Sequence, residues 1–325
     1  MKMTFAAAMI DGIALAMRED PTVAFLLPER LLSHTEQGKA ETVLHEEFKD
    51  RIFDAPYSES AMTAFAAGAG LAGRRILVNF GTAAFVLEAF NQLINEAAVA
   101  RYMSGGQVTV PATFIAFHGV KSPGAAAQHS VCPQAMLSSY PGLEVVLPST
   151  PADVKGLMRS AIRSNNPTFV LIGGPLIDIE GEVPEGDYAL PLGKADIKRE
   201  GRDVTIVATS LAVHHALDAA AQLAKDGIEA EVIDPRSVVP LDLETIYRSV
   251  RKTGRLVTAD ETPQMCSIGS EIAASVSSNA FRALKSPIGR VAQAAAPVPY
   301  AEQLEEAVLP NASKIVSEVR RILKA

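Results

Sequence analysis

Short β-branched runs alternate along the whole chain with alanine-rich stretches. Residues 22–27 (TVAFLL), 75–80 (RILVNF), 113–117 (TFIAF), 143–148 (LEVVLP) and 168–173 (TFVLIG) are apolar runs of strand length. Runs without polar alternation are the pattern of strands buried on both faces. Between them lie helical patterns. Phe5, Met9, Ile13 and Met17 recur at helical spacing, which predicts an amphipathic helix near the start. The segment from Ser60 to Ala72 is small and apolar and ends at Gly73, so it reads as a packed helix with a glycine stop. Phe85 to Ala100 reads as another. After residue 148, Ser149 or Thr150 can cap a helix, Pro151 suits its first position, and Asp153 favours its positive end.

Residues 173–193 (GGPLIDIEGEVPEGDYALPLG) are rich in Gly, Pro and acid and lack periodicity, which is linker composition. The pattern then restarts. Strands are expected at 203–209, 228–234 and 255–260, with helices over Val213 to Asp226, Ile268 to Leu284 and Ala312 to Leu323. Alternating strands and helices predict an α/β fold with a mostly parallel sheet flanked by helices, followed by a second, smaller α/β domain. The domains are placed at 1–185 and 186–325.

The chain has 325 residues and a net charge of -7. No stretch concentrates Lys and Arg, so nucleic acid and anionic membrane are disfavoured as partners. No apolar run is long enough to span a bilayer. Asp11 interrupts the first apolar run, which fits a signal peptide poorly. The expected location is the cytoplasm. Cys132 and Cys266 are far apart, with no metal-ligand spacing, so a disulfide framework or structural zinc is not expected.

Few residues announce chemistry. There is no GxxxxGK[ST] or HExxH pattern. Glu59 sits between a turn and the small-residue helix; on pattern alone it is a helix-terminal carboxylate favoured by the macrodipole. His129 follows small residues in GAAAQHSV (124–131), and a loop histidine is a candidate for moving protons near neutral pH, although most loop histidines are surface residues. His214 and His215 lie on a helix without matching ligands and read as structural.

Taken together, the segments FDAPYSESAMTAFAAGAGLAG, FNQLINEAAVARYMSGGQ, AAQHS, PGLEVVLPSTPADVKGLMRSAIR, PLGKA, VIDPRSVVPLD and VPYAEQLEEAVLP, in this order, resemble the beta subunits of thiamine-diphosphate-dependent 2-oxoacid dehydrogenases: the pyruvate, branched-chain and acetoin group of the transketolase-like superfamily. The resemblance implies a pyrimidine-binding domain followed by a transketolase-type C-terminal domain. It implies thiamine diphosphate shared with an alpha subunit, whose GDG…N motif holds the diphosphate and Mg²⁺, in an α₂β₂ assembly. It further implies oxidative decarboxylation of a 2-oxoacid with acyl transfer to lipoamide, and contact with a lipoyl acyltransferase core. A monovalent cation is left open. No metal ligand is assigned to this chain, whose lone Gly186-Asp187 continues as Tyr188. By position, Glu59 matches the glutamate that faces the pyrimidine N1′ and favours its protonated form. Phe85 matches the aromatic stacked on that ring, and His129 the histidine near the reacting centre. Glu29 matches the acid retained after the first strand, among the cofactor-binding residues.

Departures from the family pattern cluster around the cleft. Pro28-Glu29-Arg30 stands where Gly-Glu-Asp is usual. Ala116-Phe117-His118-Gly119 replaces a stretch like RGPNG. Phe80-Gly81-Thr82-Ala83-Ala84-Phe85 carries smaller side chains than the usual FMTFxF, and Ala83 and Ala84 would leave room for a bulkier substrate, while ETPQMCSIGSE replaces a glycine-rich loop. A split transketolase-type enzyme, an acetoin-cleaving enzyme and a non-catalytic scaffold remain as alternative readings.

Overall fold

The computed structural model describes residues 1–28, 38–120 and 125–324. In chain order the elements are β1 (Lys2–Thr4), α1 (Phe5–Glu19), β2 (Val23–Leu27), α2 (Gly38–Glu47), β3 (Ile52–Asp54), α3 (Glu59–Leu71), β4 (Arg75–Thr82), α4 (Ala100–Met103), β5 (Ala112–His118), α5 (Ala126–His129), α6 (Gln134–Ser138), β6 (Glu144–Val146), α7 (Pro151–Arg163), β7 (Thr168–Gly173) and β8 (Glu180–Glu182). They continue with β9 (Asp196–Arg199), β10 (Val204–Ala208), α8 (Leu211–Ala224), β11 (Ala230–Asp234), β12 (Ser237–Val239), α9 (Leu243–Thr253), β13 (Leu256–Pro263), α10 (Ile268–Asn279), β14 (Gly289–Gln293), α11 (Glu302–Val308) and α12 (Ala312–Leu323). The chain divides into two compact units, Met1–Lys121 with His129–Leu192, and Ser122–Gln128 with Gly193–Ala325.

In the first unit, strands order as β6-β7-β5-β4-β2-β3, and every pairing in that series is parallel. This is why the apolar runs lack alternation: β5 and β7 are buried at every position. Phe114 and Phe169 stack with ring centroids 5.0 Å apart, and Phe80 joins them at 5.7 and 6.1 Å. Helices α1 and α7 cross closely at Gly12, where an added Cβ would lie 3.1 Å from the Lys155 carbonyl oxygen. Beside the crossing, buried Lys155 pairs with Asp11 at 2.8 Å. Fully buried Arg159 is clamped by Glu19 and Asp187. Thr150 caps α7 by accepting from the Asp153 amide, with Pro151 in the first turn.

The second unit has a five-stranded sheet ordered β14-β13-β10-β11-β9, parallel except for antiparallel β9. Helices α8 and α12 bury Val213, Ala216, Ala220, Ile315 and Val319 against it. Both units are α/β with mostly parallel sheets.

Three segments depart from the sequence pattern. Residues 180–182, read as linker, form β8 and pair antiparallel with β1; three-residue strands carry too little periodicity to be read. The helix expected from Phe85 to Ala100 is a tight 3-10 helix over Ala83–Ala89 and a wide π-helix over Gln92–Ala98, ahead of α4. Buried Ala83, Val86 and Ala89 recur every three residues, which suits three residues per turn. Leu93 and Ala97 then recur four apart as the turn widens. The helix expected to reach Leu284 stops at Asn279 and gives way to a 3-10 turn, Phe281–Ala283.

Candidate functional site

The end of β4 builds the site. Asn79 pairs with Ile115 and Thr82 with Phe117, so β4 holds one residue more than β5 between those points. The extra residue is accommodated at Gly81, whose φ is 63°, and the Asn79 side-chain oxygen accepts from the Gly81 amide at 2.8 Å. Glycine takes this conformation without the strain a Cβ imposes. The bulge moves Thr82 off the face that carries Phe80. There its hydroxyl lies 3.3 Å from Nδ1 of His129. The chain then turns at once into the 3-10 helix, and Phe85 meets the His129 ring edge-to-face, centroids 5.9 Å apart. Phe85 and His129 are both half-buried. An aromatic face and an imidazole therefore stand together at the carboxyl end of a parallel sheet, where α/β folds place ligands.

Glu59 is the first residue of α3 and is half-buried. Ser58 makes no side-chain cap, so the positive helix end is left for the Glu59 carboxylate. The next residue ties this end to the aromatic segment: the Ser60 hydroxyl donates to the Glu88 carbonyl of the 3-10 helix. Glu59, Phe85 and His129 thus belong to one unit and to neighbouring elements, with a direct ring contact for the last two. Glu29 lies outside the described residues.

Three residues near His129 carry no signal in the sequence. His118 ends β5 fully buried, and desolvation lowers its pKa to about 4, so it is neutral at physiological pH. Its Nδ1 stands 3.8 Å from the Cys132 sulfur, and the adjacent Gly119 amide donates to the Val131 carbonyl at 3.2 Å. Both contacts pin the segment that follows His129. Ser130 is buried, and its hydroxyl has no hydrogen-bond partner among the described residues. A buried orphan hydroxyl costs about 1–3 kcal/mol unless something supplies the missing bond. Cys266, in contrast, is exposed.

These residues fit the pyrimidine half of the thiamine diphosphate that the sequence resemblance implies: an aromatic face, a carboxylate at a helix end, an imidazole and an unsatisfied hydroxyl. They do not fit its diphosphate and Mg²⁺. Asp187 spends its carboxylate on Arg159 and Arg163, and the Arg159 hydrogen bond holds its pKa near 2. Among the described residues no group of three or more His, Cys, Asp or Glu side chains could hold a metal. Nor is any helix among them long and apolar enough to cross a membrane.

Residues 1–176 match the transketolase pyrimidine-binding domain and residues 193–315 the transketolase C-terminal domain. The chain is 40% identical over 332 residues to the beta subunit of acetoin:2,6-dichlorophenolindophenol oxidoreductase from Cupriavidus necator, covering 99% of this chain and 98% of that one. It is 41% identical to the beta subunit of the pyruvate dehydrogenase E1 component from Rhizobium meliloti, covering 98% of this chain and 70% of that one. Among solved structures, a split gene transketolase described as an inactive beta4 tetramer superposes with a TM-score of 0.81 at 24% identity, over 99% of this chain and 98% of that one; at that identity it speaks to the fold. The protein is therefore a member of the transketolase family, and within it belongs with the beta subunits of the acetoin and pyruvate dehydrogenase group.

Proposed function

We propose that this chain is the beta subunit of a heteromeric decarboxylating component, which cleaves a 2-oxoacid and passes the acyl group to lipoamide, and that it works only with an alpha subunit in the cytoplasm. The observation that carries the reading is the grouping of Phe85, His129 and Thr82 beside the helix that Glu59 opens. Thiamine diphosphate, when bound, supplies the carbanion chemistry. The chain's own residues do the rest. Phe85 orients the pyrimidine face, and Glu59 holds a negative charge toward N1′. His129, steadied by Thr82, holds or releases a proton beside the reacting centre. The bond to Thr82 fixes the ring's orientation, which is worth more than its strength.

An acetoin-type ketone is the second reading, favoured by the near full-length similarity to acetoin oxidoreductase beta subunits of Cupriavidus necator and Bacillus subtilis. Co-expression with an alpha subunit, then a screen of 2-oxoacids and acetoin with an artificial electron acceptor and with lipoamide, separates the two. The purified chain alone should bind thiamine diphosphate weakly in calorimetry, because it holds half a site. Micromolar binding with Mg²⁺ and no partner would count against the proposal.

The alpha partner has a surface to use. The outward face of α3 presents Phe65 and Leu71, each about half exposed. At Gly68 on that face, an added Cβ would meet nothing within 4 Å. Glycine in a helix interior costs about 1 kcal/mol against alanine, and no contact among the described residues requires it there. Gly68→Leu is expected to leave the chain's own melting temperature unchanged or higher, and to prevent co-purification with the alpha subunit. Normal assembly of Gly68→Leu would remove α3 from that interface.

A further inference from the structure

A 3-10 helix of seven residues needs something to hold it. Such runs seldom exceed about three or four residues, because their hydrogen bonds are poorly aligned and side chains three apart eclipse. Ala83–Ala89 is seven residues long. Buried Ala83, Val86 and Ala89 let the core accept the tight winding, but side chains this small tolerate an α-helical winding as well.

The winding decides where Phe85 points. Thr82 is fixed by its pairing with Phe117 in the sheet. At three residues per turn, each side chain advances about 20° further round the axis than in an α-helix. Relaxation to α-helical winding would therefore turn Phe85, three residues past Thr82, by about 60°. Its edge-to-face contact with His129, centroids 5.9 Å apart, would not survive a swing of that size.

A hydrogen bond reaches this segment from another element. The Ser60 hydroxyl donates to the Glu88 carbonyl. Glu88 lies in the last turn of the tight helix, and by Gln92 the winding has widened into the π-helix. Carbonyls at the end of a helical segment take partners from outside it. Ser60 directly follows Glu59 in the first turn of α3. The two elements that carry Glu59 and Phe85 are thus joined by a side-chain-to-main-chain bond next to Glu59 itself.

We propose that Ser60 is a positioning residue: its bond to the Glu88 carbonyl latches the tight helix to the start of α3, and so keeps Phe85 turned toward His129 while Glu59 faces the same cofactor ring. The inference rests on the reading of Glu59 and Phe85 as the residues that hold the pyrimidine. No proton passes through Ser60. Its loss reduces the fraction of molecules ready to bind, which lowers affinity for the cofactor and leaves the chemistry of the bound cofactor alone.

Ser60→Ala tests the latch in two preparations. In the full chain alone, amide hydrogen exchange over residues 83–91 should run about 3–10-fold faster than in wild type, the effect of losing one hydrogen bond. Exchange in β5 and β7 should not change, and Ser60→Thr, which keeps the hydroxyl, should restore the wild-type rate. In the complex reconstituted with an alpha subunit, Ser60→Ala should weaken thiamine diphosphate binding in calorimetry by up to the same factor, with kcat at saturating cofactor and its pH profile unchanged. Wild-type exchange over 83–91 in Ser60→Ala would overturn the proposal. So would faster exchange with wild-type cofactor affinity, or a Ser60→Thr chain that behaves like Ser60→Ala. A lower kcat at saturating cofactor with a shifted pH profile would put Ser60 in the chemistry and equally overturn it. A wild-type complex that binds no thiamine diphosphate would sink the functional reading and the positioning role with it, whereas the exchange rates of the chain alone report on the latch in either case.

Discussion

Glu59→Gln is expected to slow exchange of the C2 proton of bound thiamine diphosphate by about 10²–10⁴-fold in the reconstituted complex, the range set by one positioned proton-transfer group. Glutamine keeps the length of the side chain and its place at the start of α3, but it cannot hold the negative charge that favours a protonated pyrimidine. Glu59→Asp keeps the charge and withdraws it by one methylene, so it should recover little of the rate. A carboxylate that merely complements the helix end contributes about 0.3–1 kcal/mol. On that account Glu59→Gln would lower the melting temperature slightly and leave exchange untouched. Hydrogen–deuterium exchange at C2 distinguishes the outcomes directly, and a wild-type rate in Glu59→Gln would take Glu59 out of the mechanism.

The second large effect lies in the other unit and concerns stability. Glu261, near the end of β13, is buried beside Asp260; desolvation first, and the Asp260 charge second, push its pKa up to about 8. The unfolded chain releases this proton near pH 4.5, while the folded unit keeps it until about pH 8. The contribution to stability is therefore fully present below pH 4.5, declines as pH rises, and is lost once pH passes through 8. At about 1.4 kcal/mol per pKa unit, the decline is on the order of 5 kcal/mol. Glu261→Gln keeps a neutral hydrogen-bonding group at every pH. It should unfold like wild type near pH 4.5 in urea and be markedly more stable at pH 8–9. Parallel pH profiles for the two proteins would show that Glu261 is ionised in the fold.

Much of this architecture is legible in the sequence, for one physical reason: parallel sheets bury strands on both faces. The runs at 75–80, 113–117 and 168–173 could hardly be anything else once helical patterns separate them. Helix α1 is equally plain, since Phe5, Met9, Ile13 and Met17 lie on one buried face. Thr150 and Pro151 mark the start of α7 where capping chemistry says they should. The candidate site is legible only through the family resemblance, which names Phe85 as well as Glu59 and His129; on pattern alone Glu59 is a helix-terminal carboxylate and His129 a loop histidine. What positions them is not legible. The contact of Thr82 with His129 depends on one extra residue in β4, and no periodicity discloses a single-residue shift. His118 reads as a replaced loop residue until β5 is seen to run through it and bury it. The tight and wide helical turns after Thr82 follow from which alanines the core accepts, and alanine is compatible with either.

The bulge in β4 also sets a counting rule for anyone recombining this chain with a relative. Upstream of Asn79 and downstream of Thr82, the strand obeys opposite parities relative to its own numbering, and Gly81 is the one position where the count changes. A crossover inside residues 79–82 that drops one residue elsewhere in β4 would carry everything upstream to the wrong side of the sheet, whereas removing Gly81 itself would preserve both sides and forfeit only the bend. Segment exchange is therefore safest with breakpoints outside this tetrad, so that the strand and its irregularity are inherited as a single block.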